Sequence, residues 1–217
     1  LGSLQSALED SGVTAEPLVT KSNGGVMSAE IGKTSCVNMV LSGTASGVIG
    51  GAFVARACGV ENAVTLDIGG TSADVAVVID GAPQYGMGEK IGEFPLYIPS
   101  VSVTSIGEGG GSIARVDEFG VLKVGPESAG SDPGPACYGQ GGERPTITDA
   151  FAVSGFLGHH DLAYNSVALD MEKARAAMAT VADPLGLSLE ETAEAIIRVA
   201  IAGMYMEINK LTALSLI

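Results

Sequence analysis

The run Leu66-Asp67-Ile68-Gly69-Gly70-Thr71-Ser72-Ala73-Asp74-Val75 limits what this chain can fold into more than any other stretch. Residues 63–66 read as a buried strand, and residues 75–79 as a second strand closed by an Asp80-Gly81 turn. A carboxylate, two glycines and two hydroxyls therefore sit at the hinge of a tight strand pair. Glycine allows the sharp turn and leaves backbone N–H groups open to an anion, with no Cβ in the way. Asp67 cannot touch phosphate directly, but it can hold Mg²⁺ or orient a water, while Thr71 and Ser72 can donate hydroxyl hydrogen bonds. Such a strand-turn-strand phosphate cradle differs from the strand-loop-helix P-loop, whose GxxxxGK[ST] pattern is absent. The competing reading is an ordinary hairpin with a Gly-Gly turn, which has no use for the flanking Asp67 and Thr71.

At 217 residues the chain is one large domain or two small ones, and 46% hydrophobic residues suffice for a packed core. Its 31 glycines follow no repeat; they gather near 69, at 107–111 and at 125–142, as in ordered loops close to a ligand. A net charge of −14 with 11 basic residues, and no basic stripe or aromatic stacking motif, argues against nucleic acid as a partner. It leaves nucleotide binding open, because backbone amides and a metal can carry that charge. Cys36, Cys58 and Cys137 form no CxxC pair, as expected of a reduced cytoplasmic protein. Residues 34–55 carry no charge, yet Asn38, Thr44 and several serines and glycines argue against a membrane span. A chain opening at Leu1 is expected to be a piece of a longer or processed polypeptide.

The remaining pattern predicts a helix over 1–12, a strand over 17–20, a turn at 22–25, a strand over 37–41 and a helix to about 57. Gly47, Gly51, Ala52 and Ala55 give that helix a small face, and the loop before it is a natural anion site at a strand-to-helix hinge; packing or anion binding would each explain it. Short strands are expected at 97–98 and 101–106, then a hairpin of 115–117 with 121–124. Between them, Gly107-Glu108-Gly109-Gly110-Gly111-Ser112 is either a plain connection or backbone approaching a ligand. The long Pro- and Gly-rich stretch 125–148 has the length of a functional loop. Helices follow over 171–181 and beyond a Ser188-to-Glu191 capping box, with Ala193, Ile196, Ile197, Ala200, Met204 and Ile208 as a core stripe. His159 and His160, being adjacent, cannot chelate one metal from a regular element. Cys137 is a nucleophile or metal ligand by type, but with no partner at ligand spacing it reads as buried and inert. Asp149 is first an N-cap candidate and only then a catalytic one.

Four blocks in order resemble the hydantoinase/oxoprolinase family, A-type subunit. They are Ser22-Asn23-Gly24-Gly25; Ser42-Gly43 with Gly47-Val48; Asp67 to Ser72 with Asp74-Val75; and Gly109-Gly110-Gly111-Ser112-Ile113-Ala114 running through Pro133-Gly134-Pro135-Ala136-Cys137-Tyr138-Gly139 to Pro145-Thr146-Ile147-Thr148-Asp149-Ala150. The resemblance spans nearly the whole chain, as one partial A-type domain: about 1–160 as a mixed α/β core with the phosphate turn, and about 161–217 as a helical segment. It implies an α/β fold of the actin-like (ribonuclease H-like) ATPase class, with a mixed sheet flanked by helices, incomplete here. It also implies ATP and Mg²⁺ as cofactors, and a cytoplasmic oligomer working with a B-type partner subunit on a small cyclic amide or ketone. The implied activity is ATP-dependent opening of a hydantoin- or 5-oxoproline-type amide; ketone carboxylation and a non-catalytic nucleotide-binding or assembly module are the alternatives. Carried onto this sequence, Asp67 acts through Mg²⁺ or water, Gly69, Gly70, Thr71 and Ser72 hold phosphate, and Gly109, Gly110 and Gly111 lie near nucleotide or substrate. Cys137 and Asp149 fall on the substrate side. The chain departs from the family pattern at Thr44, Ala73, Ser102 and Glu108, where Pro, Thr, Asp and Ala are common; the missing acid at Ser102 leaves the reaction type open. These residues alone are expected to turn nothing over.

Overall fold

The computed structural model describes residues 1–86, 89–91, 93–157 and 168–214, so His159 and His160 lie outside the described residues. The chain forms two compact units whose segments alternate along the sequence, Leu1–Leu66 with Val75–Thr104, and Asp67–Asp74 with Ser105–Leu214.

The first unit opens with α1 (Gly2–Asp10), which stops before Gly12 at φ +80°. Strands β1 (Leu18–Thr20) and β2 (Val26–Ser28) pair as an antiparallel hairpin across the expected Asn23-Gly24 turn. Helix α2 (Ala29–Thr34) starts on a Ser28 hydroxyl that accepts from the Ile31 N–H. The strand expected over 37–41 is instead a 3₁₀ turn, Cys36–Met39. Its geometry is fixed from outside: the Asn38 carbonyl accepts from both the N–H and the hydroxyl of Ser22, at 2.7 and 2.9 Å. With no strand there, helix α3 (Ser42–Ala57) does not follow the strand-to-helix hinge expected, and Leu41 at φ +58° enters that helix without a side-chain cap.

Of the expected small face of α3, Ala52 and Ala55 are buried and a methyl group on Gly51 would stand 2.4 Å from Thr65 Cγ2, whereas Gly47 is exposed; Ala45 and Val48 complete the buried side. Thr65 belongs to β3 (Ala63–Ile68), which runs into β4 (Ala73–Ile79) through the turn anticipated from sequence. Strand β4 is buried along Val75, Ala76, Val77 and Val78, whereas β3, expected to be buried, is exposed at Val64, Leu66 and Ile68. Among the described residues β3 stands at the edge of its sheet. Asp80 and Gly81, both at positive φ, close β4 onto β5 (Ala82–Pro83). Short pairs follow: β6 (Tyr85–Gly86), β7 (Glu89–Ile91), β8 (Phe94–Leu96) and β9 (Ser100–Val101), with β7 on β8 and β6 on β9. The 97–98 strand expected from sequence is not formed, and 101–106 is divided into β9 and β10 (Thr104–Ile106).

In the second unit, β11 (Ser112–Val116) and β12 (Leu122–Ser128) make an antiparallel hairpin with a register shift between Ser112 and Ala114. Three helices complete it: α4 (Ile147–Val153), α5 (Met171–Leu185) and α6 (Leu189–Leu214). Helix α5 passes the expected end at 181 to finish at Gly186, φ +67°. The capping box that opens α6 is formed as read, with Ser188 donating from N–H and hydroxyl to Glu191 and its Oγ accepting from the Glu191 N–H. Ala193, Ile196 and Ala200 of α6 join Met178, Ala150, Ile147 and Cys137 in one core cluster. No described helix is long and apolar enough to cross a membrane.

Candidate functional site

Asp67, Gly69 to Ser72, Gly109 to Gly111, Cys137 and Asp149 all lie in the second unit. The turn is closed by the Gly69 N–H donating to the Ser72 carbonyl at 2.8 Å. Asp67, Gly69, Gly70 and Thr71 are exposed, Ser72 is half-buried, and Asp74 accepts from the Ser105 hydroxyl at the foot of the turn. The turn's carbonyls are held from behind. Gly110 N–H donates to Gly69 O at 2.9 Å and Gly111 N–H to Gly70 O at 2.6 Å, and the Ser128 hydroxyl also reaches Gly70 O at 3.5 Å. Among the described residues no protein acceptor takes the N–H groups of Gly70 or Thr71. An exposed turn with its acceptors tied down and donors open is chemically suited to an anion.

The second glycine run supports this turn. A methyl group on Gly109 would stand 2.7 Å from Gly69 O and Ser72 N, one on Gly110 2.7 Å from Thr148 Oγ1, and one on Gly111 2.8 Å from Gly70 O. A side chain at Gly109 or Gly111 would push two backbones apart, and one at Gly110 would displace the Thr148 hydroxyl. Expected as backbone near nucleotide or substrate, Gly109, Gly110 and Gly111 have all three N–H groups on protein acceptors, with Gly109 donating to the buried Ser112 hydroxyl at 2.9 Å. Their donors build the turn, and none is left for phosphate.

Thr148, on the first turn of α4, continues the chain of contacts: its N–H and its hydroxyl both donate to Gly110 O at 2.8 Å. Asp149 beside it is fully buried. Its Oδ1 accepts from Cys137 N–H at 2.7 Å; its Oδ2 accepts from Thr146 N–H and hydroxyl at 2.8 Å and from Ala136 N–H at 3.3 Å. Thr146 is the helix cap and Asp149 completes the capping box, so this carboxyl fastens the 3₁₀ turn Ala136–Tyr138 to α4. With that set filled, Asp149 acts here as a fastener.

Cys137 is also fully buried, and burial, then the adjacent Asp149 carboxylate, holds its thiol far above the ordinary range. A thiol in that setting is not a nucleophile. Burial likewise raises the Tyr138 phenol, as do Cys137 and Asp149, while the Thr148 hydroxyl opposes them. The structure thus brings Gly69, Gly70 and Gly109–Gly111 into direct contact, links them through Thr148 to α4, and sets Cys137 and Asp149 inside the core. Thr148 and Ser105 were not read from sequence as contributors; Thr148 was legible only as a member of the fourth family block, beside Asp149.

No group of three or more metal-ligating side chains occurs among the described residues. Asp67 is a single exposed carboxylate at the head of the turn. That donor set fits Mg²⁺ arriving on a phosphate group, since this ion keeps several waters and commonly takes one or two carboxylates.

Three relatives carry the comparison with known proteins. Caprolactamase subunit alpha from Pseudomonas jessenii is 36% identical over 210 residues, covering 96% of this chain and 30% of that protein. The crystal structure of that ATP-dependent caprolactamase matches with a TM-score of 0.77 at 34% identity, covering 97% of this chain and 30% of that one. Nucleotide-free acetone carboxylase, from work on ATP-dependent acetone carboxylation, matches with a TM-score of 0.82 at 30% identity, over 97% of this chain and 29% of that one. 5-Oxoprolinase 1 from Arabidopsis thaliana is 37% identical over 143 residues, covering 64% of this chain and 11% of that protein. The chain therefore spans about 30% of the length of the caprolactamase subunit. Its fold is mixed α/β, of the actin-like ATPase class. The hydantoinase/oxoprolinase family model matches residues 1–215, and the chain belongs to that family.

Proposed function

We propose that the Asp67–Asp74 turn holds the phosphate end of ATP, in a protein that spends ATP to open a cyclic amide. The open Gly70 and Thr71 N–H groups on an exposed turn carry this reading. Thr71 and Ser72 hydroxyls add donors, and Asp67 holds Mg²⁺ or orients a water. Bound Mg²⁺ would neutralise charge on the phosphates.

The chemistry explains why a lactam-opening enzyme uses ATP. An amide carbon is a poor electrophile. Transfer of the γ-phosphoryl group to the amide oxygen releases ADP and leaves a carbon that water attacks; loss of phosphate and cleavage of the C–N bond then give the ring-opened acid and amine. Such transfer needs positioning and charge neutralisation more than covalent help from the protein. ATP-dependent caprolactamase and the 5-oxoprolinases among the relatives support the amide branch. The match to acetone carboxylase supports a second reading, in which a ketone is carboxylated with bicarbonate. Relatives named as subunits support a B-type partner subunit.

The test is Mg²⁺-dependent ATP hydrolysis by the full-length protein, with hydantoin, 5-oxoproline, or ketone plus bicarbonate, beside an Asp67→Asn variant. Hydrolysis stimulated by one substrate and lost in the variant names the branch. No hydrolysis by folded protein under any condition would favour a non-catalytic nucleotide-binding or assembly module.

A further inference from the structure

Helix α6 has a glycine in its interior, Gly203, and the Glu108 carboxyl rests against it. A methyl group at 203 would stand 2.0 Å from Glu108 Oε1 and 2.5 Å from both Cδ and Oε2. The carboxyl fills the notch left by the missing side chain. Both residues are unfavourable where they stand. Glycine is the poorest interior helix former after proline. Glu108 Oε2 is buried with no hydrogen-bond partner. Burial raises the Glu108 acid, and Glu207 of the same helix, itself bound to Lys210, adds like-charge repulsion; among the described residues the Met204 N–H favours the charged form. Two breaches of local rules meeting at one point mark a place kept for function rather than stability.

The function follows from what Glu108 adjoins. Its successors Gly109–Gly111 grip the phosphate turn through Gly69 and Gly70. We propose that Glu108 and Gly203 form a positioning pair that anchors the glycine loop to α6 and thereby sets the phosphate turn for its anion. The pair touches no phosphate; it acts through Gly110 and Gly111. This rests on the reading of the turn as a phosphate site.

The pair is tested by titrating ADP with Mg²⁺ into the full-length protein by calorimetry, alongside thermal unfolding. Gly203→Ala expels the carboxyl, improves the helix and relieves a desolvated acid, so its Tm rises while ADP affinity falls about tenfold. Opposite signs in the two readouts are the signature, because a purely structural contact would lower both. Glu108→Ala weakens ADP to a similar degree, Glu108→Gln restores most of the affinity by refilling the notch, and the Gly203→Ala/Glu108→Ala double variant is no weaker than either single one. Wild-type ADP binding with unchanged affinity in Gly203→Ala and Glu108→Ala would overturn the pair and leave the phosphate turn standing. Failure of the wild type to bind ADP would overturn the turn's assignment and the pair with it.

Discussion

Replacing Asp149 with Asn separates a fastener from a catalyst. The two side chains are nearly the same size, so the change is one of hydrogen-bond polarity. In the native site Oδ2 faces three donors and Oδ1 one, the Cys137 N–H at 2.7 Å. The best orientation of Asn keeps its carbonyl oxygen toward the three. Its NH₂ then opposes the Cys137 N–H, and a buried donor is left without an acceptor. One such donor costs about 1–3 kcal/mol, and the loss of a charged acceptor moves the value to the upper part of that range. A loss of about 2–3 kcal/mol in a chain of this size lowers Tm by roughly 4–12 °C. Asp149→Ala strands all four donors and leaves a cavity, so it loses more, about 4–5 kcal/mol. Thermal and urea unfolding of the two variants read these values directly. An Asp149→Asn protein within about 0.5 kcal/mol of wild type that has nevertheless lost turnover would refute the argument and return Asp149 to the chemistry.

Gly109→Ala drives a methyl into the backbone of residues 69–72, so it destabilises by about 1–3 kcal/mol in urea unfolding, while Gly43→Ala, which meets nothing within 4 Å in α3, is neutral or stabilising. Because the Glu108 acid is raised in the folded protein, its neutral form is favoured, and stability is lost as pH climbs from the ordinary glutamate pKa through the folded one. Glu108→Gln should therefore match wild type in Tm at pH 4 and exceed it at pH 7, and a gap that narrows with rising pH would contradict the burial argument. Thiol titration of the native protein should modify exposed Cys36 and Cys58 and spare Cys137 until denaturant is added, whereas rapid native labelling of Cys137 would contradict the assignment of its thiol as buried and inert.

Periodicity and capping chemistry are local, so the chain announced its local features. The Asp67–Asp74 turn between two strands, the Ser188 capping box, the α6 stripe and the β11–β12 hairpin were all legible in neighbouring residues. Propensity could not fix the 37–41 segment, where the Asn38 carbonyl is claimed by Ser22, sixteen positions away. Nor could it show that β3 stands at a sheet edge among the described residues, because burial depends on which strands lie beside it. Glycine composition flagged residues 109–111, but only tertiary structure showed what their backbones press against. The answer was the turn some forty residues earlier, with the N–H groups already spent on it. Asp149 looked like a catalytic acid or an N-cap, but Thr146 holds the cap position, and the donors arriving from Ala136 and Cys137 make Asp149 a fastener instead. Sequence thus determined which residues could turn, cap and bind; the fold decided which of their donors remained open, since a hydrogen bond satisfied from a distant segment leaves no trace in the local pattern.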